Sequence, residues 1–180
     1  QDATTTESAA YEFGGAEIVG SRNPGASLFL PSEDEWYKAA YYAVVLDDYF
    51  SYPAGSDLET ACSLTTPTSN SANCVGVVSD LTAVGSYIGS PSPNGTFDQG
   101  GNVWEWTATI DSFGQYVTRG GGLWGSVSAS GLSSEDRHND IYTSLAYSAE
   151  HYGSVGFRVA STIPEPSTAL LLGLGLAGMA

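Results

Sequence analysis

Only one segment of this chain announces a helix; everything else is cut into short pieces by turn residues. In Pro31-Ser32-Glu33-Asp34-Glu35-Trp36, Ser32 reads as the N-cap and Glu35, three residues on, completes a capping box. The acidic first turn suits the positive end of the helix dipole. Trp36, Ala40 and Ala43 recur at helical spacing and predict a core-facing stripe that fades near Leu46-Asp47-Asp48. Ahead of the helix, Leu28-Phe29-Leu30 reads as a short strand after the turn Asn23-Pro24-Gly25. Behind it, strand-like pieces are expected around 84–88, 103–107, 116–119 and 155–159, each bounded by Gly or Asn/Asp turns. No internal repeat is visible. The pattern predicts an α+β fold with much irregular loop, one domain over about residues 10–160.

The longest stretch without periodicity is 51–80, rich in Ser, Thr, Asn and Pro. Loops of that length inside a compact domain are functional, ion-bound or stapled. It holds the chain's two cysteines, Cys62 and Cys74. A disulfide between them would close a short surface loop and contribute roughly 2–3 kcal/mol on the chain-entropy model. Two unrelated thiols are the other reading, because sequence alone does not give their distance.

Charge narrows the function. The chain of 180 residues has 20 Asp+Glu against 5 Lys+Arg, a formal charge of −15. That field repels phosphate backbones and anionic headgroups, which excludes nucleic acid as a partner. Hydrophobic residues at 42% leave enough for a packed core. The acidic, Lys-poor, Ser/Thr/Gly/Tyr-rich composition suits an exported protein, where disulfides persist. Residues 1–10 carry no basic or apolar leader pattern, so either an export signal has been removed or the chain is a fragment.

Near the other end, Pro164-Glu165-Pro166 forms a stiff extended spacer. The apolar run 169–180 behind it is too short to span a bilayer core of about 30 Å, and it has no polar face. Spacer and run together resemble a PEP-CTERM sorting signal. The resemblance implies export in a Gram-negative bacterium, recognition by an exosortase, and a destination at the outer membrane, cell surface or extracellular matrix. That family's pattern ends in a basic cluster, absent here, which implies a sequence cut short. A buried terminal helix is the other reading. The tail takes in 161–180, and residues 164–180 are expected to be dispensable for the core fold.

Four ordered segments carry a second resemblance: LFLPSEDEWYKAAYY (28–42), VGSYIGSPSPNGTFDQGGNVWEWT (84–107), TRGGGLW (118–124) and GFRVAS (156–161). Together they resemble the formylglycine-generating enzyme, or sulfatase-modifying-factor, family. The resemblance implies a variant C-type-lectin-like fold with a small twisted antiparallel sheet, few helices and extensive loops. It also implies that the chain is the C-terminal portion of a domain, since the family has a long stretch before the first block. The residues agree. Trp104 and Trp106 project to one side of an extended segment, Val103 and Glu105 to the other. Trp36, Trp104 and Trp106 are expected in structural roles. Glycines 100–101 and 120–122 allow close backbone approach or positive φ. Arg119 and Arg158 should each pair with carboxylates, with Glu105 as a partner.

Calcium is the ligand expected. Hard cations take carboxylate, amide and backbone oxygens, which acidic loops supply. By the resemblance, one site falls on Asn102, the Val103 carbonyl and the Glu105 side chain, with Gly101 near. A second falls on the Asn73 side chain, the Cys74 carbonyl and Asp80. The other reading is that Asn102 and Glu105 satisfy turn amides and Arg119. Catalytic family members oxidise a sulfatase cysteine with copper held by two cysteines, soft ligands suited to Cu(I). Those cysteines lie between the Arg-Gly-Gly and Gly-Phe-Arg blocks, where this chain has none. Copper is therefore not expected. His138 and His151 fit no compact zinc spacing and read as solvated loop residues. No nucleophile elbow or nucleotide fingerprint is present. Asn94-Gly95-Thr96 matches a glycosylation sequon but is discounted in a bacterial setting.

The resulting expectation is an exported, non-catalytic binding or structural module. Its ligand, protein or polysaccharide, would sit on the Ser/Tyr/Asn/Asp-rich loop between Arg119 and Gly156. A formylglycine-generating oxidase and a calcium-dependent carbohydrate binder are the alternatives.

Overall fold

The computed structural model describes residues 10–13, 19–123, 128–139 and 155–162. The chain packs as two compact units. One takes in residues 1–29 and 159–180. Its described part is two antiparallel strand pairs, Tyr11–Phe13 with Val19–Arg22 and Leu28–Phe29 with Ala160–Ser161. The other unit, Leu30–Arg158, carries the helix and the largest sheet.

The helix forms at the sequence's capping box and spans Glu33–Tyr41. The Ser32 hydroxyl accepts the Glu35 N–H, and the Glu35 carboxylate accepts the Ser32 N–H. Trp36 and Ala40 are fully buried, as the stripe predicts, and Tyr41, outside the stripe, is fully buried too. The helix stops earlier than expected. Ala43 is buried, but in a strand, Tyr42–Ala43, that pairs with Asp48–Tyr49. Two causes act there. Val44 and Val45 are β-branched and stiff at χ1, which disfavours helix continuation. The Asn94 side chain donates to the Lys38 and Tyr42 carbonyls at 3.0 and 2.9 Å, satisfying the helix end. Read from sequence as a sequon, Asn94 thus holds a helix C-terminus.

The main sheet has four strands in the order His138–Asn139, Tyr116–Arg119, Trp104–Ile110, Val155–Phe157. The first three run antiparallel, with Glu105 opposite Arg119. The last strand pairs parallel to Trp104–Trp106. A parallel neighbour needs a connection longer than a hairpin, and the long segment after Arg119 supplies it. Three of the four strands expected behind the helix are therefore present. The expected strand at 84–88 is not: the segment is turns, with Gly85 at φ +78°. Val84 and Ile88 are exposed there, so no core face holds them extended.

In the 51–80 loop the open question resolves to a disulfide, Cys62–Cys74, with Cα atoms 5.0 Å apart. It joins the parallel pair Ala61–Cys62 and Ser71–Ala72 to a small core of Ala72, Cys74, Ala129 and Leu132. The tail residues Pro164, Glu165 and Pro166 and the apolar run lie outside the described residues, as does His151. His138 is exposed, and its ring packs on Trp104 with centroids 4.5 Å apart.

Candidate functional site

Three side-chain clusters are built on this frame, all in the Leu30–Arg158 unit. The first centres on Glu105, 6% exposed in the middle of the sheet. Its Oε2 accepts the Trp36 indole N–H at 2.6 Å and the Arg158 Nε–H at 2.5 Å; its Oε1 accepts Arg158 Nη2–H at 2.6 Å. The guanidinium also donates to the Asp98 carbonyl at 3.1 Å and to the Phe97 carbonyl at 3.4 Å. Helix, sheet, loop 97–98 and terminal strand thus meet at one carboxylate. This fork-on-fork pairing suits guanidinium and carboxylate, whose donors and acceptors are matched in spacing.

The second cluster is Arg119, 2% exposed. It lies beside the rings of Trp36, Tyr37 and Tyr41. Its Nη groups donate to the Ser134 and Asp136 carbonyls, and its carboxylate neighbour is Glu33, at 4.0 Å. Glu33 in turn pairs with Arg137 at 2.8 Å. The Tyr41 hydroxyl donates to the Leu132 carbonyl at 3.1 Å. Burial pushes that phenol well above its ordinary pKa, so it stays a donor across the working pH range. Together these groups brace residues 132–137, the root of the segment read from sequence as a ligand face. Residues 124–127 and 140–154 of that segment lie outside the described residues. The expected partners of Arg119 and Arg158 are thus corrected in one respect. Glu105 stands opposite Arg119 in the sheet, yet its carboxylate serves Arg158.

The third cluster joins residues that the sequence assigned to two calcium sites. Asn73 Nδ2 donates to Asn102 Oδ1 at 3.1 Å and to the Asp80 carbonyl at 3.0 Å. Asn102 Oδ1 also accepts the Thr82 N–H at 2.9 Å and the Thr82 hydroxyl. The Asn102 N–H donates to the Asn73 carbonyl at 2.7 Å. Gly101 makes this approach possible: its φ is +80°, and a Cβ there would lie 2.5 Å from the Asn73 carbonyl oxygen. Asn102 follows at φ +66°, a region asparagine tolerates better than most residues. Asn73 is 1% exposed, and its Oδ1 has no hydrogen-bond partner. Around it the Cys74 carbonyl accepts the Val77 N–H, and exposed Asp80 accepts the Leu81 N–H.

Of the six expected calcium ligands, Asn73, Cys74, Asp80 and Asn102 therefore fall at one locus and Glu105 at another. Val103 sits between them in the chain, its N–H on the Gly101 carbonyl. A buried amide oxygen without a partner, a backbone carbonyl and a carboxylate fit a hard cation at Asn73. The Glu105 carboxylate, filled by nitrogen donors, does not. Among the described residues, no group of three or more His, Cys, Asp or Glu converges on one point. The sequence reading missed Glu33, Thr82, Asp98 and Phe97. Only Asp98, two residues before the double glycine, carried a local signal.

Trp104 is buried and Trp106 half-buried, the latter edge-on to Tyr116 at 5.6 Å.

The model of the sulfatase-modifying factor enzyme 1-like domain matches residues 16–163. Comparison with curated proteins returns no match. Among solved structures, the crystal structure of CarF is similar at 25% identity and a TM-score of 0.51, over 79% of this chain and 50% of that one. Treponema denticola variable protein 1 aligns at 21% identity and a TM-score of 0.48, over 78% of this chain and 50% of that one. The chain thus spans about half the length of these two solved proteins.

Proposed function

The chain belongs to the sulfatase-modifying factor enzyme 1-like domain family, and we propose that within it this protein is a non-catalytic binding module of an exported, surface-associated protein. The observation that supports this reading is the state of its sulfur. The chain's two cysteines are both consumed in the Cys62–Cys74 disulfide. Copper-dependent cysteine oxidation needs a pair of soft thiolates, and the 120–155 segment offers none. A disulfide also favours an oxidising compartment, in line with export through the exosortase route suggested by Pro164-Glu165-Pro166.

The braced root at 132–137, held by Arg119, Tyr41 and Glu33, is what a binding loop requires of its scaffold. The proposed ligand is an extracellular protein or polysaccharide. The direct test is an assay of copper-loaded protein with a sulfatase-type cysteine peptide. No mass change at the peptide cysteine is expected; conversion to formylglycine would return the protein to the oxidases.

Calcium belongs to the same proposal, at the Asn73 locus alone. Asn73 Oδ1, the Cys74 carbonyl and the Asp80 side chain would hold it, and its chemistry there is structural, tying the stapled loop to Asn102. With one carboxylate, the affinity should sit near the weak end of protein calcium sites, on the order of 10⁻⁴–10⁻³ M. At 100 times Kd such an ion stabilises by about 2.7 kcal/mol, a rise in Tm of roughly 5–11 °C at this size. Scanning calorimetry of the full chain in calcium and in chelator checks this. Asn73→Ala should abolish the rise, and superimposable curves for the unaltered protein would remove calcium from the account.

A further inference from the structure

We propose that Arg158 takes the place of a metal ion at Glu105, so that this chain binds no divalent cation there. The inference rests on the family reading for the expectation it revises, and not on calcium at Asn73. Its carrier is the near-complete occupancy of the Glu105 carboxylate. Oε2 already accepts two donors, Arg158 Nε–H and Trp36 Nε1–H, and Oε1 accepts a third from Arg158 Nη2. Two lone pairs per oxygen leave one vacant position in the whole group. Neighbouring oxygens are engaged as well. The Gly101 carbonyl accepts the Val103 N–H. The Phe97 and Asp98 carbonyls accept from Arg158.

A calcium ion wants six to eight oxygens, usually with water among them. Glu105 is 6% exposed and Trp36 is fully buried, so hydration cannot complete a shell around that carboxylate. Charge gives the same answer. Arg158 neutralises Glu105 in a site shielded from solvent, where a second cation would meet like-charge repulsion little screened by water. A planar guanidinium gathers one carboxylate and two carbonyls from two other chain segments, the bridging work usually given to a bound divalent ion.

The test uses the full chain stripped with chelator. Equilibrium dialysis with radioactive calcium should find at most one equivalent. The Trp36 indole N–H signal in a ¹⁵N spectrum, a direct reporter on Glu105 Oε2, should not move when calcium is added. Arg158→Ala, which frees Oε1 and leaves Oε2 with the Trp36 N–H alone, should gain one equivalent over the unaltered protein. Two equivalents in the unaltered chain, or a calcium-dependent shift of the Trp36 signal, would overturn the proposal. So would a folded Arg158→Ala that gains nothing. Should Arg158→Ala not fold, dialysis and the indole signal of the unaltered protein still decide. Zero equivalents in the unaltered chain with a still Trp36 signal would sink calcium at Asn73 and leave this inference standing.

Discussion

Glu105→Ala should cost about 3–5 kcal/mol of stability, because it strands a half-buried cation and a fully buried indole donor at once. Arg158 would lose both of its carboxylate bonds and keep only the Phe97 and Asp98 carbonyls. Trp36, fully buried, would lose the acceptor for its N–H, and an unpaired buried donor retains its full desolvation penalty. For a chain of this size the loss corresponds to a fall in Tm of roughly 6–20 °C. Arg158→Ala should fall in the same direction, since it leaves the carboxylate buried and half-served. The double variant Glu105→Leu/Arg158→Met is the control. It removes both charges and fills the space, so its loss should be well below the sum of the single losses. A coupling of about 0.5–3 kcal/mol is expected for groups in one network. Chemical denaturation of the four proteins measures it. Additive losses, or a Glu105→Ala variant within about 1 kcal/mol of the parent, would mean that the network is ornamental to stability.

That network also marks where reading the sequence stopped. The capping box at Ser32–Glu35 was legible because its logic is local: an oxygen and an amide three residues apart. The strand at Tyr116–Arg119 was legible for the same reason. So was the importance of Gly101, since glycine beside a motif signals either positive φ or close approach, and here it signals both. Partner choice was not legible. Glu105 and Arg119 do end up opposite each other, yet which guanidinium reaches the carboxylate depends on the strand on its other side. There Gly156 faces Glu105 without a side chain, and Arg158, two residues on, reaches the carboxylate. Nothing in the spacing of 105, 119 and 158 encodes that arrangement. The convergence of Asn73 with Asn102 was hidden likewise, across 29 residues of aperiodic loop. The strand-like piece Val84–Ile88 misled in the opposite sense: a strand forms only where a core face exists to bury one side of it, and here Val84 is 91% exposed and only Tyr87 is buried.

Reduction of the Cys62–Cys74 disulfide should lower stability by about 3 kcal/mol, the chain-entropy value for a loop of this length. The sequence separation is 12. The corresponding fall in Tm is roughly 6–12 °C. The effect should come chiefly through the unfolded chain, because the folded loop has other ties. Ala61–Cys62 pairs with Ser71–Ala72, and Tyr87 donates to the Ser63 carbonyl at 2.7 Å. Cys62→Ser is the better variant to compare, since Cys62 is half-buried whereas Cys74 is 1% exposed in a packed cluster, where truncation would add a cavity to the count. Thermal melts with and without a phosphine reductant, with full reduction verified by alkylation and mass, provide the measurement. A second readout separates loop entropy from local order. Cys74 adjoins Asn73, so loosening it should also weaken whatever Asn73 Oδ1 holds. The calcium-dependent rise in Tm should therefore shrink in Cys62→Ser, even at saturating calcium if the locus no longer forms. A reduced protein that melts within about 2 °C of the oxidised one would show that the folded loop and its hydrogen bonds suffice, and that the staple serves the loop's chemistry and not its stability.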